Sequence, residues 1–92
     1  MTKQLKNKPW NKNSVRIYSN GNEFDFRTKV NKSNCKELIT QQVKMLNAQG
    51  ISIDFAIAYP EDGDPVIASN SKKYATNKDL ETSFPELFEE VA

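Results

Sequence analysis

The chain reads as an α+β domain: a two-layer, four-stranded antiparallel sheet in β-β-α-β-β-α order, with one long helix and a short C-terminal helix on mainly one face. Three observations predict it. Val15 to Val30 (VRIYSNGNEFDFRTKV) is two alternating apolar-polar runs joined by Asn20-Gly21, the residue pair that a two-residue type I′ hairpin turn demands. Cys35, Leu38, Ile39, Val43 and Leu46 recur at helical spacing. Ile51 to Tyr59 (ISIDFAIAY) alternates again, with the two-residue period of a strand.

The hairpin specifies its own register. With Ser19 opposite Asn22, Tyr18 meets Glu23, Ile17 meets Phe24, Arg16 meets Asp25 and Val15 meets Phe26. One face then carries Val15, Ile17, Phe24 and Phe26, and the other carries Arg16, Tyr18, Glu23, Asp25, Arg27 and Lys29. A slip of one residue would exchange the faces, so turn chemistry and hydrophobic pattern select the same pairing.

Residues 1–13 (MTKQLKNKPWNKN) show no periodicity, and lysines alternate with amides around Pro9 and Trp10. They read as a flexible basic N-terminal arm that precedes a single α+β domain over residues 14–92. Trp10 reads as a lid over one end of the core. After the hairpin, Asn34 and Glu37 predict a capping box for a helix from about Cys35 to Ala48, closed by Gly50 in the left-handed conformation. In the strand from Ile51 to Tyr59, Ile51, Ile53, Phe55, Ile57 and Tyr59 share one face, and the small residues Ala56 and Ala58 lie on the other. Pro60 to Pro65 (PEDGDP) is a turn, and Val66 to Ser69 a short returning strand. Thr76 with Asp79 can cap a short turn of helix around Lys78 to Thr82. Ser83, Pro85 and Glu86 predict a second start, with Leu87, Phe88 and Val91 on the buried side of a final helix.

Ninety-two residues suffice for one modest core, burying about 60–65% of the extended chain's surface. No apolar run approaches the length of a membrane span, and the N-terminus lacks the apolar stretch of a secretory signal. The single cysteine, Cys35, cannot form an internal disulfide, so the expected home is the cytoplasm. Residues 1–44 hold ten Lys/Arg against three Asp/Glu, whereas residues 45–92 hold three against nine. Halves of opposite sign attract within one small fold.

The absence of histidine removes the commonest general base and metal ligand. Cys35 at a helix start has a position suited to reactivity but no histidine to take its proton, and on an apolar stripe it reads as core. Asp54, Glu61, Asp62 and Asp64 cluster without the spacing of a calcium loop. Gly21, Gly50 and Gly63 each serve a turn or cap, which leaves no phosphate-binding loop. These features lead to the expectation of a non-enzyme with no cofactor and no metal.

The expected function is a small protein that binds and inhibits or regulates a larger macromolecular machine. A phage- or mobile-element-borne inhibitor of a host defence system, anti-CRISPR-like in role, is the form expected. Its partner is a protein or nucleoprotein complex, met through the acidic half by Asp62, Asp64, Glu86, Glu89 and Glu90. The alternative is nucleic-acid binding by the basic half, in which Lys8, Lys12, Arg16, Arg27 and Lys29 contact phosphates while Trp10 and Tyr18 stack on bases. Against it, Glu23 and Asp25 lie among those cations on the same face.

Overall fold

The computed structural model describes residues 2–6, 11–69 and 76–91. Its elements run β1 (Thr2–Leu5), β2 (Ser14–Ser19), β3 (Asn22–Arg27), α1 (Cys35–Ala48), β4 (Phe55–Tyr59), β5 (Val66–Ser69), α2 (Asn77–Ser83), a 3-10 turn (Pro85–Leu87) and β6 (Phe88–Val91). There are two antiparallel sheets in place of the single one expected. Four strands pair in the order β3-β2-β4-β5, and β1 pairs with β6 in a second sheet of two. Among the described residues, no helix is long and apolar enough to cross a membrane.

The β2–β3 hairpin has the register its sequence demands, from Ser19 opposite Asn22 to Val15 opposite Phe26. Asn20 and Gly21 carry φ of 47° and 84°, the positive values of a type I′ turn. Helix α1 also begins and ends where its periodicity places it. The expected capping box is absent, because the Asn34 side chain accepts from the Asn31 amide at 2.8 Å and donates to the Lys29 carbonyl at 3.3 Å. At the other end, Gly50 (φ 84°) lets its own amide reach the Asn47 carbonyl and the Ile51 amide reach Leu46. This is the paired closure of a Schellman motif.

The strand expected over residues 51–59 is shorter, and its pattern breaks at Asp54. Ile51 is tied to the end of α1, the Ser52 carbonyl accepts from the Ser19 hydroxyl, and the Asp54 amide donates to the Tyr18 carbonyl at 2.9 Å. Ile51 and Ile53 therefore pack on the α1 side, whereas Phe55, Ile57 and Tyr59 face the opposite side of the sheet. Val15, Ile17, Ala56 and Ala58 meet Ile39 and Leu46 beneath the helix. Alanines on β4 let the helix approach closely, which is the use of small residues on that face.

The C-terminal segment departs furthest from expectation. Thr76 and Asp79 do form a reciprocal capping box, so the helix is α2, and Ser83 ends it rather than starting another. Residues beyond the 3-10 turn are extended because β6 has a partner: Phe88 opposes Leu5, Glu89 opposes Gln4 and Glu90 opposes Lys3. Part of the stretch read as a basic arm is thus the strand β1. Leu80, Leu87 and Phe88 are buried, and with Leu5 and Phe84 they cover Tyr18, Phe55, Ile57 and Tyr59. The four-stranded sheet is consequently covered on both faces, by α1 on one and by the chain ends and α2 on the other.

Phe55 is fully buried (0% exposed) within this second cluster, whereas Met45 on α1 is 50% exposed. Phe55→Ala is expected to cost about 3–5 kcal/mol in chemical denaturation, while Met45→Ala stays within about 0.5 kcal/mol. Equal effects would contradict burial of this sheet face.

Candidate functional site

A cleft opens where the hairpin tip meets the C-terminal segment. Its volume is about 380 Å³, and its lining comprises Tyr18, Asn20, Gly21, Asn22, Glu23, Asp54, Phe84 and Glu86. A recess of about 110 Å³ shares Tyr18, Glu23 and Glu86 as walls and adds Lys6, Asn11, Arg16, Tyr59 and Leu87. Three parts of the fold build the cleft: the turn presents the amides, β2 the aromatic floor, and the segment after α2 the far wall.

The floor is rigid. Tyr18 stacks on Phe55 with ring centroids 4.4 Å apart and an interplanar angle of 14°, and Phe84 meets both rings edge-on at 5.3 and 5.2 Å. Asp54 anchors one wall by accepting from the Asn20 amide at 3.0 Å, which ties the turn to the start of β4. Glu23, Asp54 and Glu86 make the larger cleft acidic, since no Lys or Arg lines it among the described residues.

Arg16, which lines the recess beside Lys6, has a side chain that is 20% exposed. Its Nε, shielded from solvent and without a hydrogen bond, faces a Glu23 oxygen at 3.4 Å, and a terminal nitrogen lies 3.9 Å from Asp25. Burial disfavours the guanidinium charge, but Tyr18, Glu23 and Asp25 outweigh it and hold the pKa above its ordinary value. Burial likewise pushes the Tyr18 phenol up, partly offset by Arg16 and reinforced by Glu23 and Glu86. Tyr59, deeper in the same group, is pushed up to about 12, again chiefly by burial.

The residues expected to contact nucleic acid are dispersed or engaged. Tyr18 is 6% exposed and lies between other rings. Arg27 pairs with Asp25 at 3.4 Å and Lys29 approaches Glu61 at 3.9 Å, each on the exposed side of the hairpin. Lys12 is half-buried; Lys8 and Trp10 lie outside the described residues.

The expected acidic set does not converge either. Asp62 and Asp64 sit on the turn after β4, at the end of the sheet away from the hairpin tip, and Asp62 accepts from the Lys32 amide at 2.9 Å. Glu86 stands over the cleft, whereas Glu89 and Glu90 follow it along β6, half-buried and exposed respectively. Glu23, Asp54 and Phe84 were not in that set. Glu23 could have been found from its hairpin register beside Tyr18, but Asp54 and Phe84 join the site only through tertiary packing.

Among the described residues, no group of three or more His, Cys, Asp or Glu side chains could hold a metal ion. Cys35 is buried at the start of α1, with its Sγ 3.6 Å from the Lys32 carbonyl.

The buried tyrosines generate a pH dependence. The Tyr59 phenol is neutral in the fold up to about pH 12 but ionises from pH 10.0 once the chain unfolds. The unfolded state therefore loses its proton first, so this stabilisation is complete below pH 10.0 and is lost as pH rises toward 12. Denaturation followed across that range should show falling stability, with a shallower slope in Tyr59→Phe; an unchanged slope would place the phenol in solvent. Compared with known proteins, the chain matches no family profile, no curated protein and no solved structure.

Proposed function

We propose that this is a non-catalytic binding protein that engages a larger protein or nucleoprotein assembly and regulates it by occlusion, with the acidic cleft receiving a basic segment of a protein partner. The observation that carries this reading is the distribution of charge around the aromatic floor. The hairpin's cations Arg16, Arg27 and Lys29 each have a carboxylate nearby, while the larger cleft is walled by Glu23, Asp54 and Glu86 with no cation among its described lining residues. A lysine or arginine of a partner entering there gains carboxylates in a partly desolvated recess, and its alkyl stem packs on the aromatic floor. Tyr18, stacked and buried, is placed to shape that floor and has little surface left for a nucleic-acid base. An inhibitor of a host defence complex, carried by a phage or mobile element, is one protein of this kind.

The test is capture of partners on the immobilised chain from a nuclease-treated lysate, beside gel shifts with DNA and RNA over a salt series. One stoichiometric protein partner is expected, and Glu86→Lys should weaken its capture by about tenfold or more, whereas Asp62→Lys with Asp64→Lys should leave it unchanged. Tight nucleic-acid binding that collapses steeply with salt would overturn this assignment in favour of the basic half.

A further inference from the structure

The strand β3 closes one side of the four-stranded sheet and has no neighbouring strand beyond it among the described residues. In a hairpin closed by a two-residue turn, the Ser19–Asn22 pair is hydrogen-bonded, and pairing alternates from there. Phe24 and Phe26 thus direct their backbone groups to β2, and Glu23 and Asp25 direct theirs outward. The Tyr18 carbonyl conforms to this alternation: it turns away from β3 to accept from Asp54. Phe24 and Phe26, on the α1 side of the sheet, are only half-buried.

The charges along this edge have an order. In Glu23-Phe24-Asp25-Phe26-Arg27-Thr28-Lys29, opposite signs stand at equal distances on either side of Phe26. We infer that β3 is a self-association edge, on which a second copy of this chain pairs antiparallel about a two-fold axis at Phe26 to continue the sheet. That register sets Asp25 opposite the partner's Arg27 and Glu23 opposite the partner's Lys29, each pair occurring twice by symmetry. Neighbouring registers are disfavoured. An axis at Phe24 would set Glu23 opposite the partner's Asp25, and an axis at Asp25 would set that carboxylate against its own copy. Charges that merely guard an edge against pairing need no such sign symmetry. The two Phe26 rings meet at the axis and cover each other's exposed side. This interface lies on the hairpin's outer strand and shares Glu23 with the wall of the cleft.

The oligomeric state of the full chain in a concentration series, by sedimentation equilibrium, gives the first readout, and a monomer–dimer equilibrium is expected. Arg27→Glu with Lys29→Glu leaves the Arg16 ion pairs intact and should weaken self-association by about a hundredfold, because four cross-strand pairs become repulsive. Mixing it with the Glu23→Lys, Asp25→Lys variant should restore a dimer containing one of each chain.

A second, register-specific readout does not depend on the folding of the charge variants. Residues directly opposite at a non-hydrogen-bonded position have Cα atoms about 4.5 Å apart, within disulfide range. Phe26→Cys should therefore form a cross-linked dimer on mild oxidation, whereas Phe24→Cys, opposite the partner's Thr28, and the unchanged chain with its buried Cys35 should not. A strictly monomeric chain at millimolar concentration would overturn the inference. So would a dimer that the Arg27→Glu, Lys29→Glu variant retains alone, or an edge that pairs only with an extended segment of another protein.

Discussion

The structure depends on β4 being buried on both faces. All five residues from Phe55 to Tyr59 are buried, and the strand lies between β2 and β5. Its alanines accept α1 on one side, while its large residues hold α2, the 3-10 turn and the β1–β6 pair on the other. Apolar burial in so short a chain is scarce, and placing it on two faces of one strand lets a 92-residue protein support three layers.

Two polar residues secure the ends of this arrangement. Asn13, at φ 58°, donates its amide to the Tyr59 carbonyl and accepts from the Thr28 amide, and its side chain reaches Val30 and Glu61. It joins β2, β4 and the loop after β3 at one end of the sheet; asparagine tolerates that left-handed conformation better than most residues. Asp54 does the corresponding work at the other end. Its amide, carboxylate and carbonyl meet Tyr18, Asn20 and Ser69. The cleft lies beside this second junction, so its geometry follows from how the hairpin tip is tied down.

The mixed charge of the hairpin's outer face has two consequences in the fold. Toward β4, Arg16 is drawn in with Glu23 and Asp25 because the apolar half of that face is covered by the C-terminal segment. Toward solvent, Asp25, Arg27 and Lys29 stay exposed or half-exposed along an edge strand. One face of a single hairpin thus supplies both the wall of the cleft and the edge proposed for self-association. The partial covering separates the two, with Glu23 common to both.

Local chemistry made much of the fold legible: the hairpin and its register, the limits of α1, the Gly50 closure and the Thr76–Asp79 cap all rest on residues within a few positions of each other. The strand character of Thr2–Leu5 and Phe88–Val91 was not legible, because each is extended only through the other and neither alternates strongly alone. For the same reason, Ser83, Pro85 and Glu86 carry helix-start chemistry that pairing with β1 overrides. The site divides similarly. Glu23 beside Tyr18 follows from hairpin register, whereas bringing Asp54, Phe84 and Glu86 to that floor required the covering of the second sheet face. What the sequence by itself determined is the hairpin with its register, the limits of α1 with the Gly50 closure, and the Thr76–Asp79 cap, whose hydrogen bonds close within one turn or hairpin. At Asn34 the same local chemistry predicted a cap that the chain does not form. Tertiary structure decided how both faces of β4 are buried, because that depends on contacts between segments tens of residues apart, which no local period records.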